Sequence, residues 1–291
     1  MKRLDRRRWL QFGFALGTSA IVSNSLQAQS PDASNQEPAY RLSRADVAGR
    51  DPAHPLDPAL RMAHETLHYI RENIVDYTGI VIKREQIDGR VGDHEFMGIK
   101  VRNRKVENGV IRTPFSVYTT FLKPSEMKGR EAIYVENQND GKVVAHEGGM
   151  KGRFIPTVEL DPNGMIAMRG QRYPITELGI ENLCVKLIER GERDRKSGDC
   201  VVEQKMGKLG DRPGLLITVL HPVQKPELDF HRAEIFIDEG LRVPVRYAAY
   251  DWPKKTGCEC QVIEEYTYQN LKINVGLKDS DFDRTNPKYN F

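Results

Sequence analysis

The stretch RAEIFIDEGLRVPVRYAAYD, residues 232–251, decides the fold class. Residues 232–238 and 243–250 are rich in β-branched and aromatic side chains, and this composition predicts two strands. Asp238, Glu239 and Gly240 lie between them and form a tight link, because Asp and Gly are residues that turns favour. The stretch therefore predicts a pair of antiparallel strands joined by a turn.

Further segments with a period of two lie on both sides of this pair. They are residues 77–87, 95–102, 114–122, 132–136, 200–204, 215–221 and 258–272. Residues 138–141, with the sequence QNDG, separate two apolar runs and predict a hairpin, and residues 161–164, DPNG, mark another turn. The segments show no βαβ alternation and no internal repeat, so they predict a series of antiparallel strands.

Two segments have the helical period instead. Residues 57–76 begin with Asp57 as an N-cap and Pro58 in the first turn, and their apolar residues recur at steps of three and four. Residues 176–190 form the second predicted helix, which Gly191 would end as the residue after the C-cap. The fold class is therefore mainly β (α+β), with a curved antiparallel sheet or unclosed β-barrel and two main helices covering it.

The N-terminal residues predict export from the cytoplasm. Residues 1–28 combine a basic start, a short apolar stretch and a polar end, as a signal peptide does, and the stretch is too short to remain as a membrane anchor. Arg6 and Arg7 before Trp9 and Leu10 resemble the twin-arginine export motif, with an ordinary Sec signal as the alternative. Residues 29–56 are polar and proline-rich and predict a flexible leader, so residues 57–291 form the predicted single domain.

Composition and charge exclude several classes of protein. The 291 residues are 39% hydrophobic and 29% charged, which is typical of a folded protein with a sizeable core. The formal net charge is +3, and removing the +4 of the first 28 residues leaves −1. A nearly neutral chain without a basic stripe predicts no nucleic-acid partner.

Four cysteines in an exported protein predict a structural disulfide. Four cysteines allow three pairings, and Cys184 with Cys200 would pin the second helix to the next strand. Cys258 and Cys260 are expected on one face of a strand, where they reach other partners better than each other. A thiolate metal site and free buried thiols remain the alternatives.

One short motif has catalytic precedent. His64, Glu65 and His68 form the sequence HETLH, which matches the HExxH pattern of zinc peptidases, in which two histidines bind zinc and the glutamate activates water. No phrase supplying a third ligand follows it, so a chance match on an ordinary helix is favoured. No nucleophile elbow, Walker loop or kinase signature is present, and Asp279, Asp281 and Asp283 lack the glycine and glutamate of a calcium loop.

Longer phrases resemble known families. PFSVYTTFLKP (residues 114–124), GREAIYVEN (129–137) and RYPITELGIENL (172–183) resemble an exported bacterial family of unknown function, and the resemblance extends over residues 60–291. Residues 232–251 and NLKINVGLKDSDFD (270–283) resemble, more remotely, the periplasmic lipoprotein-carrier (outer-membrane lipoprotein-sorting) superfamily. That resemblance implies an unclosed β-barrel with a helical lid, holding acyl chains in an apolar cavity.

These observations together predict a non-enzymatic binding protein of the periplasm or cell envelope. Its ligand would be an acyl chain, a lipid or a lipoprotein, held by aromatic and aliphatic side chains inside the barrel. A zinc-dependent hydrolase using HETLH and a cell-envelope scaffold that binds proteins are the alternatives. No catalytic, cofactor-binding or metal-binding residue is assigned, no cofactor is expected, and the ligand-binding residues are not identified by the sequence.

Overall fold

A computed structural model describes residues 54–152, 154–255 and 257–291, and its main element is one antiparallel sheet of twelve strands. The predicted signal peptide and most of the predicted leader lie outside the described residues. The strands are β1 (Asp76–Ile87), β2 (Arg90–Val91), β3 (Glu95–Arg102), β4 (Lys105–Glu107), β5 (Val110–Thr113), β6 (Ser116–Lys123), β7 (Glu131–Val135), β8 (Val143–His146), β9 (Val158–Leu160), β10 (Val201–Leu209), β11 (Arg212–Leu220), β12 (Arg232–Asp238), β13 (Pro244–Tyr250) and β14 (Val262–Ile273). The α-helices are α1 (Asp57–Asn73), α2 (Gly149–Gly152) and α3 (Ile180–Ser197).

The sheet order is β10-β11-β12-β13-β14-β1-β3-β6-β7-β8-β9, with β2 paired to β1. The strands that begin and end the described domain meet in its middle, because β1 pairs with β14. The outer strands β10 and β9 do not pair with each other, so the sheet is unclosed. The predicted fold class, a large antiparallel sheet with two helices, is confirmed.

Helices α1 and α3 pack together and against one face of the sheet. The core combines aliphatic residues of both helices with those of the central strands. Its members include Leu67, Ile70 and Ile74 near α1, Ile180, Cys184 and Ile188 on α3, and Tyr77, Val81, Met97, Ile99, Val101, Val117 and Phe121 on the strands. The apolar stripes predicted for the two helices are the faces that this core buries.

The boundaries of α3 differ from those predicted. The helix begins at Ile180 rather than residue 176, and it continues past Gly191 to Ser197. Gly191 lies inside the helix where α3 approaches α1, since a Cβ atom there would lie 2.8 Å from Cδ2 of Leu60. The glycine that ends the helix is Gly198, whose φ of 130° is rarely accessible to other residues.

A tyrosine of β1 fixes the start of α3. The hydroxyl of the fully buried Tyr77 accepts a hydrogen bond of 2.9 Å from the backbone N–H of Ile180, one of the donors that a helix N-terminus leaves unpaired. Gly179, just before it, has φ of 122°, and a Cβ atom there would lie 2.6 Å from the Tyr77 oxygen. A glycine is therefore required at this contact.

The residues after β14 return across the opposite face of the sheet. Tyr118, Ile133 and Val135 point away from the helices and form a second small core with Phe282. Tyr118 also stacks on Tyr289, with ring centroids 4.0 Å apart. The acidic turn predicted at residues 279–283 is anchored to the sheet, as Asp281 forms an ion pair of 2.6 Å with Lys100 and Asp279 forms one of 2.6 Å with Arg102.

The carboxylate of Asp76 holds the start of this C-terminal segment. Its Oδ1 accepts hydrogen bonds from the N–H groups of Val275 (2.7 Å) and Gly276 (3.2 Å), and its Oδ2 accepts one from Leu277 (2.9 Å). We expect Asp76→Ala to lower the free energy of unfolding by about 2–3 kcal/mol, since three backbone N–H groups lose their charged and buried acceptor. Denaturant unfolding measures this. Asp279→Ala, in the same segment but exposed, is the control, with an expected loss below about 1 kcal/mol.

All four cysteines are unbridged in the structure. The predicted Cys184–Cys200 pairing is wrong, because α3 carries the chain about 20 Å between residues 184 and 197 and three further residues recover at most about 11 Å. The remaining separation of about 9 Å exceeds the span of a disulfide. Cys258 and Cys260 lie in the loop before β14, not in the strand predicted to start at residue 258.

Thiol labelling checks this arrangement. Burial raises the pKa of the Cys184 thiol to about 12 and that of Cys200 to about 11, so both have little reactive thiolate at pH 8. We expect Cys258 and Cys260 to react with iodoacetamide in the native protein, and all four to react after unfolding without reductant. Only two reactive thiols in the unfolded, unreduced protein would contradict it.

Candidate ligand-binding cavity

A cavity of about 750 Å³ lies against the same face of the sheet as the helices. The first half of α3 and the covering segment, residues 155–178, enclose the rest of it, and this segment includes the outer strand β9. This volume is within the range of protein sites for small molecules. It is much larger than the space enclosed by α1, α3 and β11–β13, which amounts to about 80 Å³.

Most of the cavity wall is apolar. The strands contribute alternate residues, as the period of two requires, and the covering segment contributes aliphatic residues that face them. Ala132 and Ala145 are cross-strand neighbours on β7 and β8, and their small side chains leave space. The apolar lining includes Val81, Met97, Phe121, Met127, Ala132, Val143, Ala145, Ile155, Val158, Leu160, Ile166, Ala167, Ile175, Leu178, Leu183 and Leu187.

One end of the cavity is polar, and strand register explains why. On β1 the inward positions change from Val81 to Lys83 and Glu85. Their neighbours across the sheet are also polar, because Lys83 lies opposite Tyr266 on β14 and Glu95 on β3, and Glu85 lies opposite Glu264. Strand alternation therefore places acidic, basic and phenolic groups side by side on the inner face.

Lys83 is at the centre of the first group of contacts. Its ammonium lies 3.1 Å from Oε2 of Glu85 and 3.3 Å from Oε2 of Glu95, and it donates a hydrogen bond of 2.5 Å to Oε1 of Gln171. The hydroxyl of Tyr266 donates to Oε1 of Glu85 at 2.5 Å. Burial and the neighbouring Glu85 raise the pKa of Tyr266 far above its usual value, so the phenol remains a donor.

Glu264 is at the centre of the second group. Arg190 of α3 donates to its Oε1 at 2.9 Å, and the Tyr247 hydroxyl donates to the same atom at 3.3 Å. The Nε atom of Arg172 lies 3.3 Å from Oε2. Burial acts to lower the pKa of Arg190, but Tyr247 and Glu264 outweigh burial and raise it, so the guanidinium stays charged.

The covering segment is tied to the sheet through these same groups. Gln171 binds Lys83, as described above, and the backbone N–H of Arg172 donates to Oε2 of Glu85 at 3.3 Å. The Tyr173 hydroxyl accepts a hydrogen bond of 3.2 Å from Nη2 of Arg190. Three consecutive residues thus close the polar end of the cavity over the charged strand positions.

The predicted motif HETLH does not contribute to this cavity. His64, Glu65 and His68 are exposed on α1, on the face away from the core, and His64 lies 3.8 Å from Glu192. Among the described residues, no group of three or more His, Cys, Asp or Glu side chains could hold a metal ion. The apolar face of α1 is turned to the core, so the two histidines lie on its exposed side.

The described helices include none long and apolar enough to cross a membrane. Several large apolar side chains on or next to the covering segment are nevertheless exposed, and they include Phe154 (85%), Met165 (90%) and Ile166 (72%). Ile166 lines the cavity, and Phe154 and Met165 precede the lining residues Ile155 and Ile166 in the sequence.

Comparison with known proteins gives a family but no activity. The model of a family described as a protein of unknown function (DUF1571) matches residues 74–291. No curated protein matches the chain.

Three solved structures are similar at low identity. They are a DUF1329 family protein from Desulfovibrio piger (13% identity, 80% of this chain and 98% of that one, TM-score 0.38), a putative outer membrane lipoprotein-sorting protein domain from Vibrio parahaemolyticus (12%, 77% and 95%, 0.36) and a LolA superfamily protein from Nitrosomonas europaea (9%, 77% and 97%, 0.31). The family resemblance predicted from the sequence is confirmed. The TM-scores are below 0.5, so we infer no ligand from these structures.

Proposed function

The chain belongs to DUF1571, a family of proteins of unknown function, and we propose that this protein is a non-enzymatic binding protein whose cavity holds the hydrocarbon part of a lipid or lipoprotein. The observation that supports the proposal is the cavity of about 750 Å³ with its aliphatic and aromatic wall. Wall residues come from seven strands, α3 and the covering segment, so a ligand there would contact most elements of this half of the domain.

The binding free energy of such a site comes mainly from the apolar surface area that the ligand buries. Moving hydrocarbon out of water is favourable by roughly 25 cal/mol per Å², so an acyl chain that buries about 300 Å² would gain about 7 kcal/mol before the cost of association. This term is non-directional and accepts chains of different length. A carrier of acyl chains needs that property more than a set of specific hydrogen bonds.

The polar end of the cavity supports binding rather than catalysis. Its carboxylates, ammonium and guanidinium groups are engaged with one another, and each buried charge has an opposite charge within 4 Å. Buried charges arranged in this way are the expected form of a structural network.

We extend the proposal to the location of the protein. The signal-peptide features of residues 1–28 favour export to the periplasm or cell envelope, followed by removal of the signal. An extracytoplasmic carrier would meet lipids and lipoproteins there. The fate of the precursor in cells lacking the twin-arginine translocase tests the route, since the precursor should accumulate in those cells.

Native mass spectrometry tests the binding function. The protein is recovered from the cells that make it, and one sample is divided for native mass measurement, organic extraction and zinc analysis. A co-purifying lipid in stoichiometric amount supports the proposal. Stoichiometric zinc without lipid would instead support the hydrolase alternative, and the variant Glu65→Gln would then be assayed for peptidase activity.

A second candidate function is attachment to a protein partner through the covering segment. The adjacent exposed side chains of Met165 and Ile166, together with the exposed Phe154, favour it, because exposed apolar surface marks interaction sites. Replacing all three by serine distinguishes the two functions. A scaffold would lose its partner and a carrier would retain affinity for a free apolar probe.

A further inference from the structure

We infer that the ligand of this cavity is an amphiphile whose polar end donates hydrogen bonds, an alcohol or an amine, and not an anionic head group. The inference rests on the proposed binding function and adds the chemical class of the ligand. It follows from the hydrogen-bonding capacity that remains at the polar end of the cavity, beside Glu264 and Glu95.

The donors at this end are already engaged. Lys83 donates hydrogen bonds to Glu85 and Gln171, and its ammonium also forms an ion pair with Glu95 at 3.3 Å. Arg190 donates to Glu264, to the hydroxyls of Tyr247 and Tyr173, and lies 3.5 Å from Asp229. An anionic head group needs donors and would have to compete for these with carboxylates that already hold them.

The capacity that remains is on acceptors. Among the described residues that line the cavity, the buried side-chain atoms without a hydrogen-bond partner are both carboxylate oxygens, Oε2 of Glu264 and Oε2 of Glu95. Their cationic neighbours, Arg172 Nε and Lys83 Nζ, lie at 3.3 Å from them without hydrogen-bond geometry. A hydroxyl or ammonium group placed there would supply the missing donor.

Access to Glu264 depends on the covering segment. Arg172 lies over Oε2, and its side chain is about one third exposed, so the guanidinium can turn outward when a ligand enters. Glu95 is nearer to solvent, since about one fifth of its side chain is exposed. The ligand's polar end would therefore meet Glu95 first and reach Glu264 as Arg172 moves.

Displacement of an apolar dye measures the preference. The probe is N-phenyl-1-naphthylamine on the full-length mature protein, and the competitors are decanol, decylamine and decanoate, which share one chain length. We expect decanol or decylamine to displace the dye at concentrations at least about tenfold lower than decanoate, which corresponds to one charge-assisted hydrogen bond.

Two variants connect the preference to the named carboxylates. Glu95→Gln removes an acceptor and releases part of the Lys83 ammonium, so decanoate should gain affinity and the preference should fall to about threefold or less. Glu264→Gln is the second variant, for use if its melting temperature stays near that of the wild type. Glu203→Gln, the same change at an exposed position of β10, should leave the preference unaltered.

The outcomes separate this inference from the proposed function. Dye binding with decanoate as the equal or better competitor would overturn the donor class and leave the apolar cavity as the binding site. Absence of dye and lipid binding would overturn the proposed function itself. An unchanged preference in both Glu95→Gln and Glu264→Gln would also overturn the assignment to these carboxylates.

Discussion

Replacing Ala145 by tryptophan is expected to lower the affinity for an apolar probe by at least about tenfold. The Ala145 side chain lies on β8 and faces the cavity beside Ala132, where an indole ring would occupy space that the hydrocarbon chain needs. Loss of contact area for two or three methylene groups, at about 0.8 kcal/mol each, accounts for this factor. Dye titration of the variant measures it.

The stability of the same variant gives an independent check on the cavity. A tryptophan forced into a close-packed core typically destabilises a protein by 1–3 kcal/mol or more, whereas a ring that enters an existing space does not. Ala145→Trp should therefore unfold at nearly the wild-type denaturant concentration. Val201→Trp, at an exposed position of β10, is the control and should retain full affinity. Wild-type affinity in Ala145→Trp would place the dye elsewhere on the molecule.

The sequence predicts several strands well because alternation and turn residues are local signals. The segment 95–102 coincides with β3 and residues 232–238 coincide with β12, since alternation and turn residues define both ends. Helix boundaries were less predictable. Glycine often ends a helix, but Gly191 lies inside α3 and allows this helix to approach Leu60 of α1 closely. That tertiary contact is not visible in any local sequence pattern.

The cavity could not be predicted, because alternation identifies a face but not what covers it. Val81, Lys83 and Glu85 share one face of β1, and the sequence alone would assign the charged pair to solvent. The structure turns that face inward under residues 171–173, which look like a loop in the sequence. One signal for the polar end was present in the sequence. Glu264 and Tyr266 alternate on β14 as Lys83 and Glu85 do on β1, and the register of the two strands places these four residues side by side.

The HETLH motif is the opposite case, in which a sequence pattern suggests a site that the fold does not enclose. Residues four apart share a helix face, which makes His64 and His68 look like a ligand pair. The apolar residues Leu60, Leu67 and Ile70 decide which face turns to the core, and they leave the histidines outside. A short motif on a helix therefore indicates a site only when the helix face that carries it points into a cavity or cleft of the fold.

The buried network at the polar end should also determine stability, and Arg190→Met tests this. The methionine keeps most of the side-chain volume. It leaves Glu264, which is only 1% exposed, without its closest cation. Removing one partner of a buried ion pair typically destabilises a protein by 3–5 kcal/mol, so we expect a loss of about that size in denaturant unfolding. Arg190 also joins α3 to β13 and to the covering segment, through Tyr247 and Tyr173.

A neighbouring arginine supplies the matched control. Arg193 lies one turn further along α3, is about half exposed and pairs with Asp229 at 2.5 Å, so Arg193→Met should destabilise the protein by less than about 1 kcal/mol. In the double variant Arg190→Met with Glu264→Gln, no full charge remains unpaired at Glu264. The double variant should therefore lose less unfolding free energy than the two single variants lose in total. Equal effects of Arg190→Met and Arg193→Met would show that the network is dispensable for folding. A large and non-additive effect would show that the groups which close the cavity also hold the domain together.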